Sequence, residues 1–325
     1  MATVEHDRIT SSDIFQLNDS EEWFGIFDAV SKMVPEIDRI GAAPCTKTQY
    51  KTLIQTGLPS VGFRESNVGI KQGKPTITTA EVQCKYFDAS WSLDQKVAQE
   101  CEWGEDAAKA LCADSALKAA MQKIAEQTWY GTKADAAGFS GVANLLQYLD
   151  SPMVVNAGGT TANKASSIFA IRTELQGVQY AWGQNGSINI GSIIETEQWD
   201  SENKKFWAYS QKVTGHVGLQ IPSTLVIGRI ANITEQDGKG ATDELIAQLL
   251  EMFPAGRDPN LIFMSKRSLS QLRRSRVGLV NAGKRTITIG AQEPFPDSAF
   301  GIPIFVSESI KNTEALLTVT PSENG

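Results

Sequence analysis

The chain has 325 residues, with 30 Lys+Arg against 37 Asp+Glu, a net charge of -7, two histidines and four cysteines. That length fits one elaborate domain or two ordinary ones, and 41% hydrophobic with 21% charged residues excludes a disordered or fibrous chain. The acidic balance argues against a protein that coats DNA, a role needing many cations to displace phosphate counterions, but leaves room for a local basic face.

Residues 1–18 are polar and aperiodic and read as an arm ordered only when something holds it. Asp19-Ser20-Glu21-Glu22 then has capping-box character, and Trp23, Phe24, Ile26, Phe27, Val30, Met33 and Val34 follow at helical spacing until Pro35 ends or kinks the helix. Two β-rich runs, Thr48 to Thr56 and Pro75 to Trp91, flank a Gly-rich middle and predict a long two-stranded ribbon with an irregular tip. Such a ribbon is marginal in water, so its length points to support from neighbouring chains. A helix from about 104 to 130 follows, with Glu102, Glu105 and Asp106 near its start, Leu111, Leu117, Met121, Ile124 and Trp129 on one stripe, and Gly131 as its stop. At 1.5 Å per residue it is a strut of ~40 Å.

The remainder mixes types. Ser167 to Arg172 reads as a buried strand, Ile193 to Trp199 and Lys205 to Val213 as a hairpin, and Leu225 to Ile233 as a strand. Thr242 caps a helix over Asp243 to Phe253, Leu261 to Met264 is a short strand, and Ser265 caps a helix to about Arg276. Thr286 to Ile289, Ile302 to Val306 and Ala315 to Thr320 return to strand. Helices and strands alternate irregularly, so the fold class is α+β and not doubly wound.

Little catalytic chemistry emerges. Cys45, Cys84, Cys101 and Cys112 form no C-x-x-C pair, and His6 and His216 do not join them at zinc spacing. No metal, cofactor or enzyme activity is expected. Gly278 to Lys284 meets the G-x-x-x-x-G-K part of a phosphate loop, but Arg285 stands where Ser or Thr would hold magnesium, and helix precedes where a strand should. Nucleotide binding is kept as a distant alternative. Gly138-Phe139-Ser140-Gly141 lacks the last glycine of a nucleophile elbow. There is no charged n-region followed by an apolar stretch and no apolar run of the ~20 residues that cross a bilayer, so a protein made in the cytosol, with reduced thiols, is expected. Lys266, Arg267, Arg273, Arg274, Arg276, Lys284 and Arg285 form a basic cluster, read as a contact with the acids around Glu21 and Glu102 of a neighbour.

The order of these parts, with the segments LIQTGLPSVGFRESNVGI, EQTWYG, FSGVANLL, IFMSKRSLSQLRR and FGIPIFVSESI, resembles a tailed-bacteriophage major capsid protein, nearest in character to the short-tailed branch. The resemblance implies an arm with a short helix (1–43), an extended β-loop (44–95), the spine helix of a peripheral domain (96–137), an axial domain in two parts (138–185 and 237–310) around the peripheral β-sheet (186–236), and a C-terminal strand and tail (311–325). It also implies self-assembly into hexamers and pentamers of an icosahedral virion shell enclosing double-stranded DNA without sequence-specific binding. The partners it brings are separate scaffolding, cement and portal proteins. A cellular nanocompartment shell of the same fold, enclosing an enzyme, is the alternative. Lys71, Lys74, Arg64, Glu65, Trp23, Arg273, Arg274 and Glu102 are the candidate contacts between subunits. Some members of the family join subunits covalently through a loop lysine; with no partner Asn or carboxylate evident, that reaction is not carried over to Lys71 or Lys74.

Overall fold

The computed structural model describes residues 9, 32–46, 48–71, 73–174, 177–186, 188–200, 202–282 and 297–320. A one-turn helix α1 (Glu36–Arg39) leads into β1 (Ala42–Pro44), followed by β2 (Gln49–Gly57), β3 (Thr76–Gln83), β4 (Lys85–Asp88) and β5 (Trp91–Asp94). Next come α2 (Gln95–Gln99), the long α3 (Glu105–Tyr130), α4 (Val142–Leu145), β6 (Val154–Asn156), β7 (Ser166–Ile171), β8 (Gln179–Trp182), α5 (Gly183–Gly186) and β9 (Asn189–Ile190). The chain continues through β10 (Ile194–Trp199), β11 (Lys205–Gln211), β12 (Val213–Gln220), β13 (Ile227–Ile233), α6 (Asp243–Glu251), β14 (Leu261–Met264), α7 (Lys266–Ala282), β15 (Ser298–Ala299) and β16 (Ile302–Val306).

The main core lies on a six-stranded sheet in the order β15-β16-β14-β7-β13-β6. Every residue of β7, β13 and β14 is buried, as their near-continuous apolar runs require of central strands covered on both faces. Gly228 of β13 lets α6 sit close, since a Cβ there would stand 2.9 Å from Leu249 Cδ1. A second sheet, β1-β8-β12-β4 with β9 beside β12, and a third, β10-β11-β5, carry the rest, while β2 and β3 pair only with each other. The α3 helix joins these layers. Its first turns meet a smaller core of Trp91, Leu93, Cys101, Cys112 and Tyr209, and its end is engulfed on all sides by the main one, where Trp129 stacks on Phe169 at 4.8 Å.

Several expectations change. Of the expected stripe of α3, Ile124 and Trp129 are buried, but Leu117 is exposed and Ala108, Cys112 and Ala120 are buried instead: small side chains bring the helix axis close to the sheet, and the larger Leu is turned out. Glu102 falls in a turn ahead of the helix, which starts after Gly104. The region 186–236, expected to form the peripheral β-sheet, is divided among three sheets, because the irregular stretch Ile221–Ser223 and the 3-10 turn at Thr224–Val226 redirect the chain before β13. Conversely β8, within the segment expected to be axial, pairs with β12. Ala315 to Thr320 forms no strand; side chains hold it, with Asn232 Oδ1 accepting from Leu317 N at 2.8 Å and Asp150 Oδ1 from Thr320 N at 3.0 Å. The last helix runs past Arg276 to Ala282, through Gly278, because one interior glycine costs only about 1 kcal/mol. The helix expected over residues 19–34 lies outside the described residues except at 32–34, which are not helical. The strand expected over 286–289 also lies outside them.

Candidate assembly surface

The β2–β3 ribbon pairs Gln49 with Gln83 and Leu53 with Thr79, with a register shift between Gln55 and Gly57. Alternation puts Lys51, Leu53 and Gln55 on one face opposite Glu81, Thr79 and Ile77. Lys51 and Glu81 close an ion pair at 2.9 Å, but Leu53 and Ile77 on that face are open to solvent. Beyond the paired strands, Leu58, Val61 and Phe63 are 84%, 90% and 108% exposed, and Val68 and Ile70 are exposed too. Scattered exposed apolar residues are ordinary, but a continuous series on a segment with no core of its own marks a surface that another molecule covers.

Arg64, Glu65, Lys71 and Lys74 all lie on this segment, exposed and without an ion pair to any described residue. The chain turns there: Asn67 has φ 66 and Val68 N donates to Glu65 O at 3.3 Å. The structure therefore gathers four of the candidate contacts on one basic, apolar tip. Trp23 lies outside the described residues. Glu102 is exposed at the head of α3. The basic cluster is largely used within its own chain. Arg276 makes a two-pronged pair with Asp243 at 2.6 and 2.7 Å, Arg267 donates to the carbonyls of Lys164, Ile233 and Asn312, and Arg273 reaches Asp297 at 3.5 Å. Arg274 is exposed, its Nε donating only to Ser270 O at 3.4 Å on the same helix, and lines an open polar hollow beside Asp237 and Glu235. Lys284 and Arg285 lie outside the described residues.

A buried polar hub at the end of α3 escaped sequence reasoning. At the end of α3, Trp129 Nε1 donates to Glu36 Oε1 at 2.5 Å, and the Ser307 hydroxyl donates to the same oxygen. Burial pushes the Glu36 carboxyl above the usual carboxylate range, against the lowering effect of these two bonds. One residue on, Tyr130 OH donates to Glu314 Oε1 at 2.7 Å, while Glu314 Oε2 takes Ser167 Oγ at 2.6 Å and Arg229 Nη2 at 2.8 Å. Burial, and then Glu314, drives the Tyr130 phenol far above its ordinary value. The stretches on either side of the body, around Glu36 and Glu314, are thus fastened to adjacent residues of one helix. Arg229, a lone charge within the apolar run IGRIANI, was the available signal. A second uncovered surface is the β10–β11 hairpin, where Trp199 and Trp207 are both 55% exposed.

Among the described residues, no group of three or more His, Cys, Asp or Glu is placed to hold a metal ion. No helix among them is long and apolar enough to cross a membrane. The approach to the Gly278–Lys284 motif is helix α7, not the strand a phosphate loop requires.

A family model described as major capsid protein GP7 matches residues 19–318. No curated protein matches. Among solved structures, the chain is similar to a chain of bacteriophage Epsilon15 at 18% identity and a TM-score of 0.73, covering 98% of this chain and 100% of that one. It also resembles the bacteriophage JBD30 capsid at 13% identity, 93% and 99% coverage and a TM-score of 0.47. The SrpI encapsulin complex of Synechococcus elongatus PCC 7942 matches at 8% identity, 70% and 97% coverage and a TM-score of 0.46.

Proposed function

The chain belongs to the major capsid protein GP7 family, and from that premise we propose how it builds a shell: copies associate as hexamers and pentamers of an icosahedral head of a short-tailed phage around double-stranded DNA. The observation that carries this reading is the ribbon, whose series of exposed apolar side chains has no partner surface among the described residues of its own chain. Ribbons laid over neighbouring bodies would bury that surface, and many modest contacts closing together give a stable shell by multivalency.

In this reading residues 1–43 serve as the arm, 44–95 as the extended loop, and α3 as the spine. The three-stranded sheet and the β12 sheet support the spine, and the six-stranded sheet forms the body of the axial part. An acidic chain suits an enclosing wall, because DNA held without strong positive charge can be packed and released. Scaffolding, cement and portal proteins are partners of the assembly pathway in the same reading, with the shell built in the host cytoplasm. Family membership favours a genome over an enzyme as cargo.

Deleting residues 57–74 tests the proposal. The shortened chain is expected to stay soluble and folded by circular dichroism while electron microscopy finds no closed shells. Shells of normal size from that variant would overturn it.

A further inference from the structure

The ribbon joins the body through two short tethers, and each carries a cysteine. Cys45 lies in the link between β1, which pairs with β8, and β2. Cys84 is the single residue between β3 and β4, and β4 pairs with β12. Both are buried free thiols. Their places are fixed against adjacent residues of β8: Cys45 N donates to Trp182 O at 2.7 Å, and the Cys84 thiol lies 3.6 Å from Ala181 O. Cys84 N also donates to Thr48 O at 2.8 Å, drawing the two tethers together. We propose that Cys45 and Cys84 are an oxidisable pair whose disulfide joins the two tethers and clamps the root of the ribbon closed.

The two thiols act on each other. The Cys84 thiol is pushed up to about 11 by burial first and then by the Cys45 side chain, whereas Cys112 is pushed up to about 11 by burial alone. With hydrogen peroxide as oxidant, one thiolate attacks a peroxide oxygen, breaks the O–O bond and becomes a sulfenic acid, and the released hydroxide is protonated to water. The second thiolate attacks that sulfur, forms the S–S bond and expels hydroxide, which leaves as a second water. Two electrons pass from the sulfur pair to one peroxide. A thiol held near 11 is almost wholly protonated at neutral pH, so its attack is slow and quickens about tenfold for each unit that the pH rises toward that value.

The inference concerns the folded chain and does not depend on shell formation. The full-length protein is treated with hydrogen peroxide, unfolded, alkylated and mapped by mass spectrometry. A linked Cys45–Cys84 peptide, lighter by two hydrogen masses, is expected, with Cys101 and Cys112 still alkylated, faster closure at higher pH, and a thermal midpoint raised by several degrees that dithiothreitol reverses. Cys45→Ser and Cys84→Ser should each abolish the linked peptide. If either variant fails to fold, the wild-type map alone decides. Free alkylated Cys45 and Cys84 after peroxide, sulfonic acids without a linked peptide, or a link to Cys101 or Cys112 would each overturn the proposal.

Discussion

Glu36 and Glu314 are both buried carboxylates at the end of the same helix, yet their settings differ. Glu314 has a cation, Arg229, at 2.8 Å, and the pair is 3% and 6% exposed. Glu314→Ala leaves that guanidinium buried without its partner and is expected to cost about 3–5 kcal/mol in urea unfolding. A loss under about 1 kcal/mol would show that Arg229 finds other compensation. Among the described residues Glu36 has no cation partner, and its Oε2 has no hydrogen-bond partner. Its raised value means that the folded chain binds this proton more tightly than the unfolded chain does. Its stabilising contribution is therefore complete below the ordinary carboxyl value and is lost as pH rises through the raised one. Glu36→Gln keeps an oxygen for Trp129 and Ser307 without the charge, so its unfolding midpoint should fall less than the wild type's as pH rises above the ordinary carboxyl value. A parallel pH profile would refute that assignment. Neither carboxylate was legible beforehand: in sequence Glu36 follows a proline and Glu314 sits in a polar stretch, and only long-range packing encloses them.

The long helix shows which part of an element can be read locally. Its length, its acidic start and its glycine stop follow from charge, capping and backbone rules, and it spans Glu105–Tyr130. Its buried face is legible only in part: Ile124 and Trp129 are buried as expected, but apolar size ranks Leu117 above Ala120, while close approach to a sheet favours the smaller residue. Leu117→Ala is accordingly expected to change stability by about 0.5 kcal/mol or less, as at an ordinary surface site. Gly131→Ala should behave differently. The residue has φ 55, and a Cβ would stand 1.8 Å from Asn144 Oδ1 and 2.2 Å from Gly141 N. Overlap with backbone adds to left-handed strain, giving an expected cost of about 3 kcal/mol or more by thermal unfolding. A midpoint within a degree or so of the wild type's would mean that the turn after α3 can open.

For the whole molecule, stability and assembly should separate. The body holds its core within one chain, and the ribbon contributes mainly exposed apolar surface, with Val82 of β3 buried against Cys84 and Ala181 at its root. Leu58→Ser with Phe63→Ser is expected to leave the unfolding midpoint unchanged, while closed particles in electron micrographs are lost or sharply reduced. Undiminished particle yield would move the contact elsewhere, with the exposed Trp199–Trp207 hairpin as the next surface to test. Arg274→Glu is the matching charge test, since Arg274 makes no ion pair with a described residue while its neighbours Arg267, Arg273 and Arg276 do.

The sequence by itself determined the α+β class, the long helix, most strand positions and the two-stranded ribbon as far as Gln83, because these depend on periodicity, caps and breakers within a few residues of one another; the run expected to carry the ribbon on to Trp91 instead pairs with β12 and β11. It also carried the family resemblance, through the order of those parts. The tertiary structure decided which strands share a sheet, splitting 186–236 among three. It decided which basic residues are consumed at home, the burial of Glu36, Arg229 and Glu314, and the meeting of Cys45 and Cys84 at the ribbon root. Those outcomes depend on contacts between residues far apart in the chain, where partner and burial are set by packing and leave only faint local traces.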